Sequence, residues 1–473
     1  MSDNLLQKAK NIYFIGIGGI GISAIARMLI LEGKTVTGSD ASGSEITVGL
    51  EKLGIKIYIG QKKENIPTGV DLVIYTVAVK ADNPEFIEAK SRGLKMMTYA
   101  ETLTEISSSK YTIAVAGTHG KTTTTAMVAK IMIEADLDPT VIVGSLIRDK
   151  VGEKTNFIHG QSDYFVVEAC EYDRSFLHIE PKIAVINNID NDHLDYYGSI
   201  EGVIAGFREF ALKVPKDGFI VCDPNDEKVA KAIVNLDCTI VDRNKFYDAD
   251  LKMKIPGEHN RRNAGTALAV ANIFKLDLAK AKKSLETFTG TWRRFEYKGE
   301  TSAGALVYDD YGHHPTEVKA TLAGARELFP DKNIIVVFQP HLFSRTKILL
   351  NDFAQAFVDA DEVILAPIFP AREKFDPTIS SEILAERIKE QNRPGSQTHH
   401  PALTKAGKGE SNSAFSSLVK EEWHSDDEVV VLSFKNFSDI ETYLKTNLKA
   451  GDVLITMGAG EQYKIGDSLL FER

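Results

Sequence analysis

Tyr111-Thr112-Ile113-Ala114-Val115-Ala116-Gly117-Thr118-His119-Gly120-Lys121-Thr122-Thr123-Thr124-Thr125 decides how the rest of the chain is read. Its first six residues are apolar, aromatic or β-branched, the pattern of a strand buried on both faces. A glycine-bearing turn follows, and then a helix. The Gly120-Lys121-Thr122 ending is that of a P-loop. In such a loop backbone amides cradle phosphates, the lysine neutralises the outer ones and the hydroxyl of the following threonine holds Mg²⁺. The full pattern has a glycine where this chain has Val115, so the loop is a variant form. Thr123, Thr124 and Thr125 are poor helix formers, which makes a purely structural turn a weak explanation.

A P-loop needs a second anchor for its metal. Glu168 ends the apolar run Tyr164–Glu168, and an acid there projects from the carboxyl edge of a parallel sheet, where ligands of α/β proteins bind. Asn188-Ile189-Asp190-Asn191-Asp192-His193 follows another apolar run, Ile183–Asn187, and brings more oxygen ligands to the same edge. Phe219–Asp223 and Thr239–Asp242 read as later strands of this sheet, and a helix is predicted near Asn260–Phe274.

Upstream, Gly16-Ile17-Gly18-Gly19-Ile20-Gly21 fits G-x-G-x-x-G between a predicted strand, Asn11–Ile17, and a predicted helix, Gly21–Glu32. Glycines allow the tight turn and let backbone N–H groups approach a diphosphate. Asp40 stands at the end of the next predicted strand, Thr35–Gly38, where a ribose-binding acid would sit. This loop alone fits an NAD-dependent oxidoreductase, another diphosphate ligand, or helix–strand packing by small residues. A non-catalytic P-loop regulator also fits the two loops. Ile55–Ile59 and Leu72–Thr76 continue the first alternation of strands and helices. A third alternation follows Trp292: strands at Ala305–Asp309, Ile334–Gln339, Glu362–Ala366, Val429–Phe434 and Asp452–Met457, with helices at Thr316–Leu328 and Asp352–Phe357.

The fold class predicted is therefore α/β with three domains. Residues 1–108 form an N-terminal Rossmann-like domain, 109–292 a central P-loop-type ATPase sheet and 293–473 a C-terminal Rossmann-like domain. The length of 473 residues agrees, at roughly 150 residues per domain. Hydrophobic residues at 43% and charged residues at 26% exclude a disordered or fibrous chain. The net charge of −10 argues against non-specific nucleic-acid binding, which needs a basic surface. Three cysteines, Cys170, Cys222 and Cys238, have no metal-ligand spacing and fit a reducing cytoplasm. Asn11–Ala26 is uncharged, but its glycines argue against a signal peptide, and no segment reaches the length of a membrane span. Gln391–Asp427 is polar and aperiodic, and reads as a surface insertion. Its adjacent His399 and His400 are more plausibly unliganded than metal-binding.

The motifs share an order along the chain. After the P-loop and Asn188-x-x-x-Asp192-His193 come Pro256-Gly257-Glu258-His259-Asn260-x-x-Asn263-Ala264, Arg293-Arg294-Phe295-Glu296 and Asp309-Asp310-Tyr311-Gly312-His313-His314-Pro315-Thr316-Glu317. Gln339-Pro340-His341, Phe343-Ser344-Arg345-Thr346 and Met457-Gly458-Ala459-Gly460 complete the series. Together they resemble the Mur ligases, ATP-dependent amide-forming enzymes of peptidoglycan precursor synthesis, over residues 12–373 and again near the end. The resemblance implies that Gly16, Gly18, Gly19, Gly21 and Asp40 hold a UDP-sugar and not NAD. It implies that Gly117, Thr118, His119, Gly120, Lys121, Thr122, Thr123, His259, Asn260 and Asn263 bind ATP, and that Thr122, Glu168 and His193 hold Mg²⁺. Lys121, His193, His313, His341 and Arg345 would be catalytic, with Tyr311 and His313 facing the amino acid.

Within the family, the opening glycine run, Gly38-Ser39-Asp40 and the Tyr311–Glu317 run resemble the member that adds the first amino acid, and the enzyme expected is cytoplasmic, a monomer or weak homodimer, without membrane insertion. Its substrates would be UDP-N-acetylmuramate and L-alanine. ATP would activate the lactyl carboxylate as an acyl phosphate, which the amine of L-alanine then attacks. A ligase that recycles murein peptides is the alternative. Gln61, Cys170, Tyr172, Leu342 and Phe343 depart from the family's usual residues.

Overall fold

Three β-sheets, each built mainly of parallel strands, organise the chain in a computed structural model that describes residues 5–76, 78–148, 154–371, 373–392 and 429–470. The first contains β1 (Asn11–Ile15), β2 (Thr35–Asp40), β3 (Lys56–Ile59), β4 (Leu72–Tyr75) and β5 (Lys95–Thr98), in the order β3-β2-β1-β4-β5. Every pair is parallel. Tyr13, Phe14 and Ile15 on the central β1 are fully buried, as expected of a strand covered by helices on both faces. The strand order turns back at β1 and β4, and the first glycine loop leaves β1 at that point, where open α/β sheets form a crevice.

The second sheet contains β6 (Tyr111–Ala116), β7 (Thr140–Arg148), β8 (Lys154–Ile158), β9 (Tyr164–Glu168), β10 (Ile183–Ile186), β11 (Phe219–Cys222) and β12 (Thr239–Asp242). Its order is β12-β11-β10-β6-β9-β7-β8, with β8 antiparallel to β7. The P-loop therefore leaves β6 with the ends of β9 and β10 on either side. Val115, the residue that departs from the full P-loop pattern, is buried inside β6 and paired with Glu168 and Val185 in its neighbours.

The third sheet contains β13 (Glu296–Glu300), β14 (Leu306–Asp310), β15 (Ile334–Phe338), β16 (Glu362–Leu365), β17 (Val430–Ser433) and β18 (Val453–Met457), in the order β13-β14-β18-β15-β16-β17. Only β13 runs antiparallel to its neighbour, β14. The chain divides into two compact units, Met1–Ile255 with His259–Trp292, and Pro256–Glu258 with Arg293–Arg473. The first unit holds the first two sheets and the second holds the third.

The predicted strands are present, most of them shorter by one or two residues at an end. Asn11–Ile17, for example, stops at Ile15 because Gly16 turns to φ +80°. Sequence reading passed over β5, β7, β8 and β13. β13 is a polar edge strand, and its register slips between Tyr297 and Gly299. The helix expected at Asp352–Phe357 lies at Leu350–Ala354, after another at Phe343–Ile348. The helix expected from Asn260 begins at Glu258. Residues 393–427 of the polar stretch, with His399 and His400, lie outside the described residues. Among the described residues no helix is long and apolar enough to cross a membrane.

Candidate active site

The P-loop is shaped from outside by the segment that follows β10. Thr118 N–H donates to Asn188 O at 3.1 Å, and His119 N–H donates to Asn188 Oδ1 at 2.8 Å. Asn187 Nδ2 donates to Thr124 Oγ1 at 3.0 Å, and Asp190 N–H donates to Thr118 Oγ1 at 2.9 Å. Gly120 turns at φ +76°, and a Cβ there would lie 2.6 Å from Asn263 Oδ1, so only glycine fits. That contact brings Asn263 of helix Glu258–Ile273 against the loop. Asn260 and Asn263 are both buried, and His259 stands in the same first turn of the helix.

Lys121 opens helix Lys121–Glu134 and folds back over its own loop. Its Nζ donates to Gly117 O at 2.7 Å and Thr118 O at 3.0 Å, and lies 2.9 Å from Glu171 Oε2. Burial alone would lower the pKa of this ammonium, but the Glu171 carboxylate more than reverses the effect, and the group stays firmly protonated. Asp190 behaves similarly with opposite sign. Burial would raise its carboxyl, but the His119 ring at 3.2 Å, the Asn191 N–H and Lys228 hold it well below the usual carboxylate range.

The two oxygen groups expected to anchor a metal lie side by side. Thr122 Oγ1 donates to Glu168 Oε1 at 3.0 Å, while Glu168 Oε2 accepts from Gly144 N–H at 2.8 Å. A hydroxyl beside a carboxylate suits a small hard cation such as Mg²⁺. His193 Nε2 stands 3.7 Å from Glu171 Oε1 and 3.7 Å from Asp192 Oδ2. Its ring packs on Tyr172, with centroids 4.8 Å apart. His193, Asp173 and Arg174 all have left-handed backbone, a costly conformation that clusters at functional sites.

The first glycine loop is equally determined. Gly16 and Ile17 donate their N–H groups to Ser39 O at 2.8 and 2.9 Å, and Gly18 N–H donates to Asp40 Oδ2 at 2.8 Å. Asp40 thus meets the loop backbone directly. A Cβ on Gly18 would fall 2.9 Å from Asp40 Oδ2, and one on Gly21 2.8 Å from Tyr99 Cζ. Gly19 caps helix Ile20–Leu31 without a side-chain bond. Ser39 also donates its hydroxyl to the buried Glu85, whose other oxygen accepts from Asn65 Nδ2 at 2.7 Å and Lys62 N–H at 3.1 Å.

In the second unit His313 and His314 separate. His314 is buried and caps helix Pro315–Leu328, its Nδ1 accepting from Thr316 N–H at 3.3 Å. His313 turns toward Tyr311 and His341, with ring centroids 5.3 and 5.4 Å away. His341 stacks on Phe369, and its Nδ1 lies 2.9 Å from Arg345 Nη1. These four predicted residues, Tyr311, His313, His341 and Arg345, form one group. Leu342 and Phe343, between His341 and Arg345 in the chain, are buried.

Asp310 holds the loop that carries Tyr311 and His313. Its Oδ1 accepts from Gly312 N–H at 2.6 Å and its Oδ2 from Phe295 N–H at 2.8 Å. Burial pushes its carboxyl up to about 6, against the pull of Arg294. Arg293, 4% exposed, donates Nε to Asp309 Oδ2 at 2.7 Å and its terminal nitrogens to the carbonyls of Gly458 and Gly460.

Sequence reading did not single out Glu171 or Asn187, and it named Asn188 only as the start of the Asn188–His193 motif. The available signal was position: Glu171 follows the end of β9 and the asparagines follow β10, on either side of the P-loop strand.

Three family models match the chain: the Mur ligase family, catalytic domain, over residues 11–111; the Mur ligase middle domain over 115–245; and the Mur ligase, glutamate ligase domain over 293–460. The chain is 41% identical to a UDP-N-acetylmuramate–L-alanine ligase of Clostridium kluyveri, covering 98% of each. It is 39% identical to the enzyme of that name from Clostridium tetani, over 99% of this chain and 100% of the relative. It superposes on the crystal structure of a UDP-N-acetylmuramate-alanine ligase from Thermotoga maritima with a TM-score of 0.74 at 26% identity, covering 97% of this chain and 98% of the other. A murein peptide ligase from Psychrobacter arcticus shares the fold, with a TM-score of 0.66 at 23% identity over 97% and 98% of the chains.

The chain belongs to the Mur ligase family, and its three-domain α/β fold and ATP-dependent amide-forming chemistry are those of that family. The oxidoreductase and regulator readings of the two glycine loops fall with that assignment.

Proposed function

We propose that this chain joins L-alanine to the lactyl carboxylate of UDP-N-acetylmuramate, cleaving ATP to ADP and phosphate through an acyl phosphate, in the cytoplasmic synthesis of peptidoglycan precursors. The observation that carries the reading is the P-loop lysine Lys121, held 2.9 Å from the buried Glu171, in a chain about two-fifths identical to full-length relatives of that name.

A carboxylate resists nucleophiles because of its charge, and phosphorylation removes the charge and supplies a leaving group. The protein's share of such chemistry is positioning and charge neutralisation. The amides of Gly117–Gly120 and the ammonium of Lys121 bind the ATP phosphates, and His259, Asn260 and Asn263 bind the nucleoside. Thr122, Glu168 and His193 hold Mg²⁺, which supplies further charge neutralisation when bound. Gly16, Gly18, Gly19 and Gly21, shaped by Asp40, bind the UDP-sugar diphosphate. Tyr311 and His313 orient the amino acid, and His341 and Arg345 face the transferred phosphate. In this proposal the three cargoes belong to domains 1–108, 109–292 and 293–473.

The test is an ADP-release assay. ADP should form only when UDP-N-acetylmuramate and L-alanine are both present. Release with a murein tripeptide in place of L-alanine would transfer the chain to peptide recycling, and release with glycine or serine in preference to alanine would reassign the amino acid.

A further inference from the structure

The helix that follows the first glycine loop is held by a side chain from the second sheet. Asn156 lies on β8 at 1% exposure, and its Nδ2 donates to Ser23 Oγ at 2.8 Å and to the Ile20 carbonyl. Ser23 Oγ donates to the same carbonyl at 2.9 Å, and Ser23 N–H closes onto Gly19 O at 2.9 Å. Both amide hydrogens of Asn156 are therefore spent on the first turn of helix Ile20–Leu31. The other end of that amide gains nothing: Asn156 Oδ1 is buried without a hydrogen-bond partner among the described residues. An orphaned buried carbonyl is destabilising, so stability alone would favour an apolar residue here.

The contact also has a direction. β8 pairs with β7, Thr155 opposite Ile147. From β7, Gly144 N–H reaches Glu168 Oε2, and Glu168 Oε1 accepts from Thr122. Gly144 and Asn156 both lie in the stretch where the β7–β8 register shifts, between the Ile142–Phe157 and Ile147–Thr155 pairs, so the contact on the helix and the contact on the Glu168 edge issue from one irregular corner of the sheet. A satisfied buried donor fixes geometry closely, because no water is at hand to replace a lost partner.

We propose that Asn156 is a positioning residue, which sets the first glycine loop in register with the Glu168 edge so that the UDP-sugar is held where the P-loop can serve it. The inference rests on the assignment of the first loop to the UDP-sugar and the second to ATP.

The experiment compares native enzyme with Asn156→Ala, Asn156→Asp and Ser23→Ala by steady-state ADP release, each substrate varied in turn. Native enzyme whose ADP release ignores UDP-N-acetylmuramate would overturn the proposed function itself, and this inference with it. With native dependence established, Asn156→Ala and Asn156→Asp should each raise the KM for UDP-N-acetylmuramate about ten-fold, the value of one lost hydrogen bond. The KM for ATP should stay within about two-fold. Asp keeps the size of Asn but cannot donate, and Ala adds no charge, so a loss confined to Asp would mean charge repulsion and overturn the idea. Parallel changes in both KM values would also overturn it, showing Asn156 to be a general support of the fold. Should Asn156→Ala fail to fold, Ser23→Ala decides alone: a rise in KM for the UDP-sugar only supports the inference, and no change refutes it.

Discussion

Glu171 and Lys121 form a buried ion pair, with side-chain exposures of 2% and 15% and 2.9 Å between Oε2 and Nζ. The lysine that would meet phosphate is thus anchored by a carboxylate that sequence patterns for P-loops do not include. The pair keeps the ammonium charged and pointed across its own loop.

Removing one member of such a pair leaves the other charge uncompensated. Glu171→Ala should lower stability by about 3 kcal/mol and turnover by about a hundred-fold. Calorimetry and ADP release measure the two effects. Native-like values in both would show that the pair has no role in holding Lys121.

The hydrogen bond between Thr122 and Glu168 brings together two oxygens suited to Mg²⁺. Glu168→Gln keeps the size but removes the charge, so the Mg²⁺ concentration for half-maximal ADP release should rise at least about ten-fold. An unchanged Mg²⁺ titration would remove Glu168 from the proposed ligand set.

The adjacent histidines of the second unit should differ in what they control. His314→Ala removes a helix cap and should cost about 1 kcal/mol of stability, with little change in the KM for L-alanine. His313→Ala should reverse that pattern, raising the KM for L-alanine with stability nearly intact. Identical behaviour of the two variants would contradict the separate placements.

Asp310 gives a pH signature. Its native carboxyl titrates near 6, above the ordinary value of 3.8, so between these values the native state binds more protons than the unfolded one. Stability from this group is greatest at the acid end and falls as pH rises through about 6. Asp310→Asn should flatten that slope in the unfolding of the second unit between about pH 4 and pH 6. A slope that survives the substitution belongs to another group.

The strands that carry the glycine loops were legible because buried parallel strands are continuous apolar runs ended by glycine. β1 and β6 are of that kind. β13 was not, since Glu296, Lys298 and Glu300 carry no apolar alternation and the strand is identified only by its partner β14. At the candidate site, Lys121 and Thr122 stand in a local pattern that sequence displays. Glu171 does not: it reads as one more acid in a turn, and only the pairing of β9 beside β6 brings it to the lysine. The His313-His314 pair was ambiguous for a related reason, because a cap and a substrate-facing ring have the same letters.

The third sheet has a consequence for how the protein is made. Among the described residues β18 follows every other strand of this sheet, yet it lies between β14 and β15, parallel to both. Until residue 457 has left the ribosome, β14 and β15 each lack their inner neighbour, and Arg293 lacks the Gly458 and Gly460 carbonyls that receive it. The sheet is completed from its middle, so the second unit cannot close before β18 has emerged. Nascent chains stopped short of β18 carry two unpaired strand edges, a ready substrate for chaperones and proteases.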